Sequence, residues 1–155
     1  DVARVRCGVL LVLELLDLAR WAPNHHLTQP WRFRVLGPGT RAALEEAVGE
    51  KEAVKLRRAP TLVLATALLS GDPETDEEDL HATACAVYAV LLGATARGLA
   101  SYWRTPHAIH DDAVRALLGV ARAERVVALI HLGPAGSEPP VKDRVRVDEV
   151  VAFLP

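Results

Sequence analysis

The pattern of apolar and polar positions along the chain predicts four β-strands. In WRFRVL, the residues Trp31, Phe33 and Val35 share one face and two arginines share the other, which is the period of a half-buried strand. Two longer segments are continuous apolar runs with the length of buried strands. The strand-like segments are residues 31–36, 61–69, 99–103 and 125–133.

Helical spacing of apolar residues and capping signals predict five helices. Thr40 is the expected N-cap of one helix, Thr75 with Glu78 resembles a capping box that opens a long helix, and Gly98 is suited to end it. The acidic residues 71–79 are predicted to form a solvated loop. The predicted helices cover residues 10–20, 40–49, 50–58, 80–97 and 111–119. Helices that alternate with strands in this order indicate a layered α+β domain.

The length and composition favour one globular domain over residues 1–155. The chain has 155 residues, of which 50% are hydrophobic and 25% charged, and it contains neither an internal repeat nor a long linker. Residues 145–155 alternate valines with charged residues, so they are predicted to form an extended arm, either along a neighbouring sheet edge or folded back on the same subunit. Because the first and the longest helix are apolar on several sides, we expect a dimer.

Charge and targeting signals exclude several classes of protein. The net charge is −2 and the basic residues are scattered, which argues against nucleic-acid binding. The apolar run near the N terminus is interrupted by Glu14 and Asp17, so a domain helix is favoured over a secretory signal. Residues 80–96 are too short and too interrupted for a membrane span. The two cysteines lack CxxC spacing, so we expect reduced thiols and a cytoplasmic protein.

No catalytic constellation or metal framework is evident in the sequence. The pair His25 and His26 and the pair His107 and His110 lack a carboxylate cluster at ligand spacing, so loop histidines are expected and no metal. The serines lack the GxSxG context, and the glycines form neither GxGxxG nor a P-loop. Chemistry carried by a bound cofactor remains compatible with this composition.

Two stretches are unusually rich in functional side chains. The first, WAPNHHLTQPWRF at residues 21–33, has prolines that stiffen a loop, as ligand binding favours; the alternative is that its last aromatics simply begin a core strand. The second, YWRTP at residues 102–106, offers Arg104 to a phosphate or an electron-rich heterocycle. The alternatives there are a surface salt bridge for Arg104 and packing for Trp103.

Three segments, ARWAPNHHLTQPWRF, GLASYWRTP and VKDRVRVDEVVAFL, resemble in this order the flavin-dependent nitroreductase family, in its short bacterial NAD(P)H nitroreductase type. The resemblance covers most of the chain from about Leu15. It implies an α+β fold, a layered α/β/α sandwich with a mixed, mostly antiparallel sheet. It also implies a homodimer with FMN in a groove between the subunits. The implied activity is NAD(P)H-dependent reduction of nitroaromatic, quinone or similar small-molecule acceptors by a ping-pong flavin mechanism.

The resemblance also implies cofactor-binding residues. Matched by position, Trp21 and His25 fall in the family's first FMN loop, and Trp103, Arg104 and Thr105 fall in its second. No side chain is assigned as a catalytic acid or base, because the cofactor carries the chemistry.

Further matches concern the two ends of the chain and the long helix. Lys142 and Arg144 resemble a C-terminal basic pair that binds the FMN phosphate, and residues 93–98 match a segment associated with NAD(P)H, although helix packing explains it equally well. The family's N-terminal Arg-Arg-Ser motif is represented only by Arg4 and Arg6, either because the motif lies upstream or because these two arginines replace it. The alternative function is therefore a flavin-binding or cofactor-free dimeric scaffold without redox turnover.

Overall fold

The computed structural model describes residues 2–135 and 140–155, with side chains from Gly8 onward. Within these residues, nine helices and strands follow one another in the order α1 Val2–Ala19, β1 Trp31–Val35, α2 Pro38–Val48, α3 Glu50–Leu56, β2 Thr61–Leu68, α4 Pro73–Ala96, β3 Leu99–Arg104, α5 Asp112–Leu117 and β4 Glu124–Pro134. Each predicted strand and helix is present, and the differences concern where some of them begin.

The four strands form one sheet in the order β1-β2-β4-β3, and each neighbouring pair is antiparallel. The two long apolar strands, β2 and β4, lie in the centre, whereas β1 and β3 form opposite edges. This arrangement confirms the predicted α+β sandwich. It also separates the two stretches rich in functional side chains, since one precedes β1 and the other ends β3.

Helices cover both faces of the sheet and form two hydrophobic clusters. On one face, Val63 and Ala65 of β2 pack with buried residues of α1 and α4. On the other face, Leu62 and Leu64 pack with residues from α2, α3 and α5. Because successive strand residues point to opposite faces, a continuous apolar run supplies both clusters at once.

The acidic stretch before α4 is not a loop over its whole length, and that part of the prediction is wrong. Helix α4 begins at Pro73, and its N-cap is Asp72, whose carboxylate accepts a hydrogen bond from the Thr75 N–H at 2.9 Å. Proline at the first helical position and acids in the first turn both favour a helix N terminus. The acidic residues are therefore solvated and helical at the same time.

Two other helices begin earlier than predicted. Helix α1 begins at Val2, before the predicted residue 10. Helix α2 begins at Pro38 with Gly37 as its N-cap, so Thr40 lies inside the first turn and is not the cap. The N–H groups of the first helical turn have no partner within the helix, so a proline at the first position loses no hydrogen bond. The segment Gly-Pro-Gly, which resembles a turn, can therefore begin the helix.

Helix α4 is a core helix of this structure. By length and composition alone it could cross a membrane, but eight of its residues are buried in the fold. At Gly93 the helix approaches α1 so closely that a Cβ atom would overlap the Leu18 side chain. The packing explanation for residues 93–98 is therefore supported by the geometry at Gly93.

The C-terminal residues 140–155 extend from the domain. A single 3-10 turn spans Val147–Glu149, and the apolar side chains of this segment are largely exposed, with Phe153 96% exposed. In the described part of the chain, the segment does not cover its own subunit's hydrophobic clusters. Its valines are thus available to another surface.

Candidate functional site

The loop between α1 and β1 is held in an unusual conformation. His26, Leu27 and Gln29 have φ values of 52°, 54° and 46°, in the left-handed region that non-glycine residues rarely adopt. Each such residue costs about 1–3 kcal/mol, so the surroundings must impose the conformation. Asn24 contributes by accepting a hydrogen bond from the Gln29 N–H at 2.9 Å.

Two side-chain contacts attach this loop to the beginning of α4. His25 Nδ1 lies 2.7 Å from a carboxylate oxygen of Glu78, and the Thr28 hydroxyl donates to Asp79. Thr28 is part of the same loop, and Asp79 is buried. The predicted stiffness of the loop thus arises from these contacts in addition to its prolines.

Trp21 presents its ring to solvent at the start of the loop. The side chain is 73% exposed, and the guanidinium carbon of Arg20 lies 5.1 Å from the ring centroid. The ring borders a shallow depression of about 470 Å³ that is also lined by Asn24, Leu27 and Gln29. An exposed indole beside a depression can stack on a planar ligand or on another protein surface.

Trp103 and Arg104 point to opposite faces of the sheet. Trp103 packs against the cluster beneath α1 and α4, and its Nε1–H donates to the Val127 carbonyl at 3.2 Å. Arg104 lies on the other face, where its Nη2 is 3.1 Å from a carboxylate oxygen of Glu52 in α3. Trp103 is therefore packed against the core, and the ion pair of Arg104 is mostly buried rather than superficial, with 17% of the side chain exposed. Thr105 follows as an exposed residue.

A cavity of about 450 Å³ lies beside Arg104, between the C-terminal end of α3 and strands β3 and β4. Three basic side chains line it, from Lys55, Arg58 and Arg104, together with polar groups of Ser101, Tyr102 and His131. Its volume is within the range of small-molecule sites, about 300–1,000 Å³. The sequence reasoning identified Arg104 alone among these residues.

Two buried side-chain nitrogens at this cavity have no hydrogen-bond partner among the described residues. They are Nη1 of Arg104 and Nε2 of His131, and His131 as a whole is 5% exposed. Burying a polar nitrogen without a partner costs about 1–3 kcal/mol, so such groups call for an explanation. The sequence signal for His131 was a single imidazole within an otherwise apolar strand.

His131 is held neutral by its surroundings. Burial lowers its pKa from 6.5 to about 4, and the positive charges of Arg104, Arg41 and Arg58 act in the same direction. A neutral imidazole has one N–H donor and one acceptor nitrogen. At physiological pH the cavity thus combines three fixed positive charges with an uncharged histidine.

The remaining site residues lie elsewhere. Arg144 is exposed in the C-terminal segment, where its Nη1 contacts the carbonyls of Lys142 and Asp143 at 3.4 and 3.2 Å. Arg4 and Arg6 lie outside the residues whose side chains are described. In the described parts of the chain, no group of three His, Cys, Asp or Glu side chains could hold a metal ion.

The two predicted flavin loops are far apart within one chain. Trp31, which follows the first loop, pairs through Ala67 with Arg125 of β4, whereas Arg104 pairs with Leu129. The loops are therefore separated by three strand spacings, about 14 Å, across the sheet, and by about four residues, or 13 Å, along it. Within one chain, the two predicted loops therefore lie apart and do not line one common pocket.

Comparison with known proteins gives a consistent result. The profile of the nitroreductase family matches residues 48–134. The chain is 30% identical over 126 residues to YdjA of Escherichia coli (strain K12), which is named as an NAD(P)H nitroreductase, with 72% of this chain and 69% of YdjA covered.

Solved structures agree with the sequence comparison. A nitroreductase-like family protein from Bacillus cereus has a TM-score of 0.80 and 27% identity, and the match covers 93% of this chain and 83% of that one. A Desulfovibrio desulfuricans nitroreductase solved in complex with FMN has the same fold, with a TM-score of 0.74, 24% identity and coverage of 94% and 84%. The region that the family profile matches, residues 48–134, contains α3, β2, α4, β3, α5 and β4 and every residue that lines the cavity. The chain belongs to the nitroreductase family.

Proposed function

We propose that the protein is an FMN-dependent oxidoreductase that uses NAD(P)H to reduce nitroaromatic, quinone or similar acceptors. Its family is one of oxidoreductases, one relative is named for NAD(P)H, and one structural neighbour is described as bound to FMN. The single observation that carries the proposal is the cavity beside Arg104, because it adjoins the strand that ends in the segment YWRTP.

The chemistry of this cavity fits FMN. Lys55, Arg58 and Arg104 supply positive charge for an anionic cofactor, and polar atoms of a ligand could pair with the unpartnered Arg104 Nη1 and His131 Nε2. Bound FMN would accept a hydride from NAD(P)H and pass reducing equivalents to the acceptor, in ping-pong order.

The roles of the chain's own residues follow from their positions. Arg104, fixed by Glu52, would offset negative charge on the cofactor, and a guanidinium held in place loses little entropy when it does so. Main-chain N–H groups near Thr105 would add donors. Trp21 and His25, from the stiff first loop, would form an aromatic and polar wall against the ligand.

A homodimer would bring the two predicted flavin loops together. The first loop of one subunit and the Arg104 cavity of the other would face one groove, which a single chain does not form. Exposed apolar side chains on the outer sides of α1 and α4 support such an interface, among them Leu10 at 60%, Leu13 at 55% and Tyr88 at 57% exposed. We regard residues 1–155 as one domain whose arm, residues 145–155, contributes to this dimer.

The cellular setting is also a proposal. Cys85 is a free thiol at an exposed position on α4. An exposed free thiol is ordinary in a reducing compartment, which supports a cytoplasmic location.

The test is reconstitution with FMN followed by reduction with NADH or NADPH. We expect flavin absorbance bands in the reconstituted protein and their loss when a reduced nicotinamide is added without oxygen. Arg104→Ala should raise the FMN Kd roughly 10- to 100-fold, the range of one lost charge-assisted hydrogen bond. Arg122→Ala, an exposed arginine that does not line the cavity, is the matched control. Equal Kd values for the two variants would contradict the role of Arg104, and a protein that never takes up FMN would favour the scaffold.

A further inference from the structure

The middle of the loop between α1 and β1 is not held by packing. The beginning of this first loop, residues 20–30, is fixed by Ala22, which is buried in the cluster beneath α1 and α4. Its end is fixed by Pro30, whose carbonyl accepts a hydrogen bond from the Leu68 N–H at 2.8 Å. Between these points, residues 25–29 are exposed. Hydrophobic burial therefore does not determine their conformation.

That conformation is nonetheless a strained one. Thr28 lies between Leu27 and Gln29, which have positive φ values of 54° and 46°. Residues other than glycine adopt this region only where surrounding contacts impose it. Among residues 25–29, the side chains that hydrogen-bond to another described helix or strand are those of His25 and Thr28, and both contacts lead to α4. The constraint on the first loop therefore comes from this helix.

The beginning of α4 is a rigid support for these contacts. The carboxylate of Asp76 accepts hydrogen bonds from the N–H groups of Ser70 and Gly71 at 2.6 and 3.2 Å, which joins the helix to the segment after β2. In the next turn Asp79 is buried, and its carbonyl accepts a hydrogen bond from the Thr83 hydroxyl at 2.8 Å. A contact with Asp79 therefore fixes an atom of the loop relative to the sheet.

Asp79 and Thr28 form the inner of the two contacts. The Thr28 hydroxyl donates a hydrogen bond to a carboxylate oxygen of Asp79. Because a buried carboxylate is destabilised when it loses a donor, this bond is maintained in the folded protein. Thr28 lies between the two left-handed residues Leu27 and Gln29, so the bond determines the path of the backbone through both of them.

Glu78 and His25 form the outer contact, in which both side chains are largely exposed. His25 Nδ1 lies 2.7 Å from a carboxylate oxygen of Glu78. An ionised carboxylate only accepts hydrogen bonds, so Nδ1 carries a proton in this pair. The ring of His26 stacks on that of His25 with 3.8 Å between the centroids. The neutral ring of His25 is thus held in one orientation and one tautomer, with Nε2 as its acceptor nitrogen.

We propose that Asp79 and Glu78 are positioning residues of the proposed flavin site. Asp79 imposes the backbone path of the first loop through Thr28, and Glu78 sets the orientation and the tautomer of His25. Both acids act through the loop that carries Trp21 and His25. The inference rests on the proposed function, which takes these two residues as a wall against the ligand. A loop held in its binding conformation avoids the loss of affinity that a partly populated conformation causes.

The first experiment compares flavin binding and loop mobility in paired variants. Kd values for FMN and riboflavin are measured for the wild type, Asp79→Ala, Thr28→Val and the double variant. Amide hydrogen exchange is followed in the ligand-free proteins at Gln29, whose N–H donates to Asn24. Asp79→Asn, which keeps an acceptor oxygen, is the conservative variant. Glu77→Ala is the matched control, because Glu77 is an exposed acid of the same helix and belongs to neither contact.

We expect Asp79→Ala and Thr28→Val each to accelerate exchange at Gln29 and to raise the Kd for FMN roughly tenfold, the effect of one lost hydrogen bond to a charged group. Riboflavin should weaken by the same factor, because the loop is proposed to contact the flavin ring. The double variant should resemble either single variant, since both remove one contact. Asp79→Asn and Glu77→Ala should bind FMN as the wild type does. Thr28→Val alters an exposed residue, so it tests the contact even if Asp79→Ala does not fold.

The outer contact has a spectroscopic signature of its own. NMR of the His25 ring nitrogens at alkaline pH reports which of them carries the proton. We expect Nδ1–H in the wild type and in Glu78→Gln, whose amide oxygen still accepts, and a mixture of tautomers in Glu78→Ala. The Kd for FMN should rise less than about fivefold in Glu78→Ala, because an exposed pair contributes little. An unchanged tautomer in Glu78→Ala would contradict the role of Glu78.

The outcomes distinguish this proposal from the proposed function. If exchange at Gln29 accelerates in Asp79→Ala but FMN binds as tightly as in Glu77→Ala, the positioning role is wrong and the proposed function stands. If the effects of Thr28→Val and Asp79→Ala add in the double variant, the two residues do not act as a pair and the proposal is wrong. If the wild type takes up no flavin, the proposed function fails. Exchange in the ligand-free variants then still decides whether α4 holds the loop: faster exchange supports it and unchanged exchange refutes it.

Discussion

Replacing His131 with phenylalanine should stabilise the ligand-free protein, and more strongly at acidic than at neutral pH. The Nε2 atom of His131 is buried without a partner among the described residues, in a cavity that leaves room for a ring of similar shape. Replacing an unsatisfied polar group by an apolar one of like shape removes a penalty of about 1–3 kcal/mol. We expect a gain in the free energy of unfolding of about 1 kcal/mol near pH 8.

The dependence on pH follows from the lowered pKa. The imidazole has a pKa of about 4 in the folded protein, against 6.5 for the ordinary value, so the unfolded chain binds more protons between these two pH values. The wild type therefore loses stability as the pH falls through this window, by about 2 kcal/mol at pH 5 for these two pKa values. The phenylalanine variant has no such group. Its advantage should grow from about 1 kcal/mol near pH 8 to about 3 kcal/mol near pH 5.

The assay is urea unfolding of both ligand-free proteins at these two pH values and at one protein concentration. His110→Phe is the control, since His110 is exposed. An advantage of His131→Phe that is the same at both pH values would refute the reasoning. In saturating FMN the same variant should gain less thermal stability than the wild type, because it lacks the ring nitrogen that the proposed site offers to FMN.

Two further predictions concern the scaffold. Glu124 is buried and accepts hydrogen bonds from Arg34, Thr66 and the Ala121 N–H; burial alone would raise its pKa, but these contacts hold it at about 2. Glu124→Gln should lower the free energy of unfolding by about 3 kcal/mol at pH 7 relative to the exposed control Glu46→Gln. This difference should shrink as the pH falls from about 4.5 towards 2, because a carboxylate with a lowered pKa stabilises the folded protein fully only above that pH range. A difference in urea unfolding that stays constant over this range would contradict the prediction. Deleting residues 145–155 should weaken a dimer that sedimentation equilibrium detects for the whole chain, and a truncated protein that is equally dimeric and equally heat-stable would show that the arm makes no contribution to assembly.

Local patterns were sufficient to locate the helices and strands. The alternation in β1 and the continuous apolar runs of β2 and β4 are readable because strand period and burial act on neighbouring residues. The start of α4 was misplaced for a local reason as well. Thr75 and Asp72 compete as caps, and an acidic stretch has the composition of a solvated loop even when the first helical turn forms there, as it does after Pro73.

The site was only partly readable from the sequence. Arg104 was identified because it lies in the segment YWRTP, which resembles a family motif. It is also one of the basic residues that line the cavity. Trp103, its neighbour, was given the same role, yet the structure points it to the opposite face, where it packs beneath α1 and α4. Neighbouring residues of a strand point to opposite faces of the sheet, so two consecutive residues of one motif can lie in different environments.

The sequence by itself determined the class of fold, the succession of helices and strands, the stiff first loop and the family resemblance, because these depend on short-range periodicity, turn residues and motif order. Only the tertiary structure decided that β1 and β3 lie at opposite edges, and that Lys55, Arg58 and His131 meet around one cavity. These contacts join residues from α3, the turn after it and the end of β4. They depend on strand order and on burial by distant segments, which no local pattern specifies.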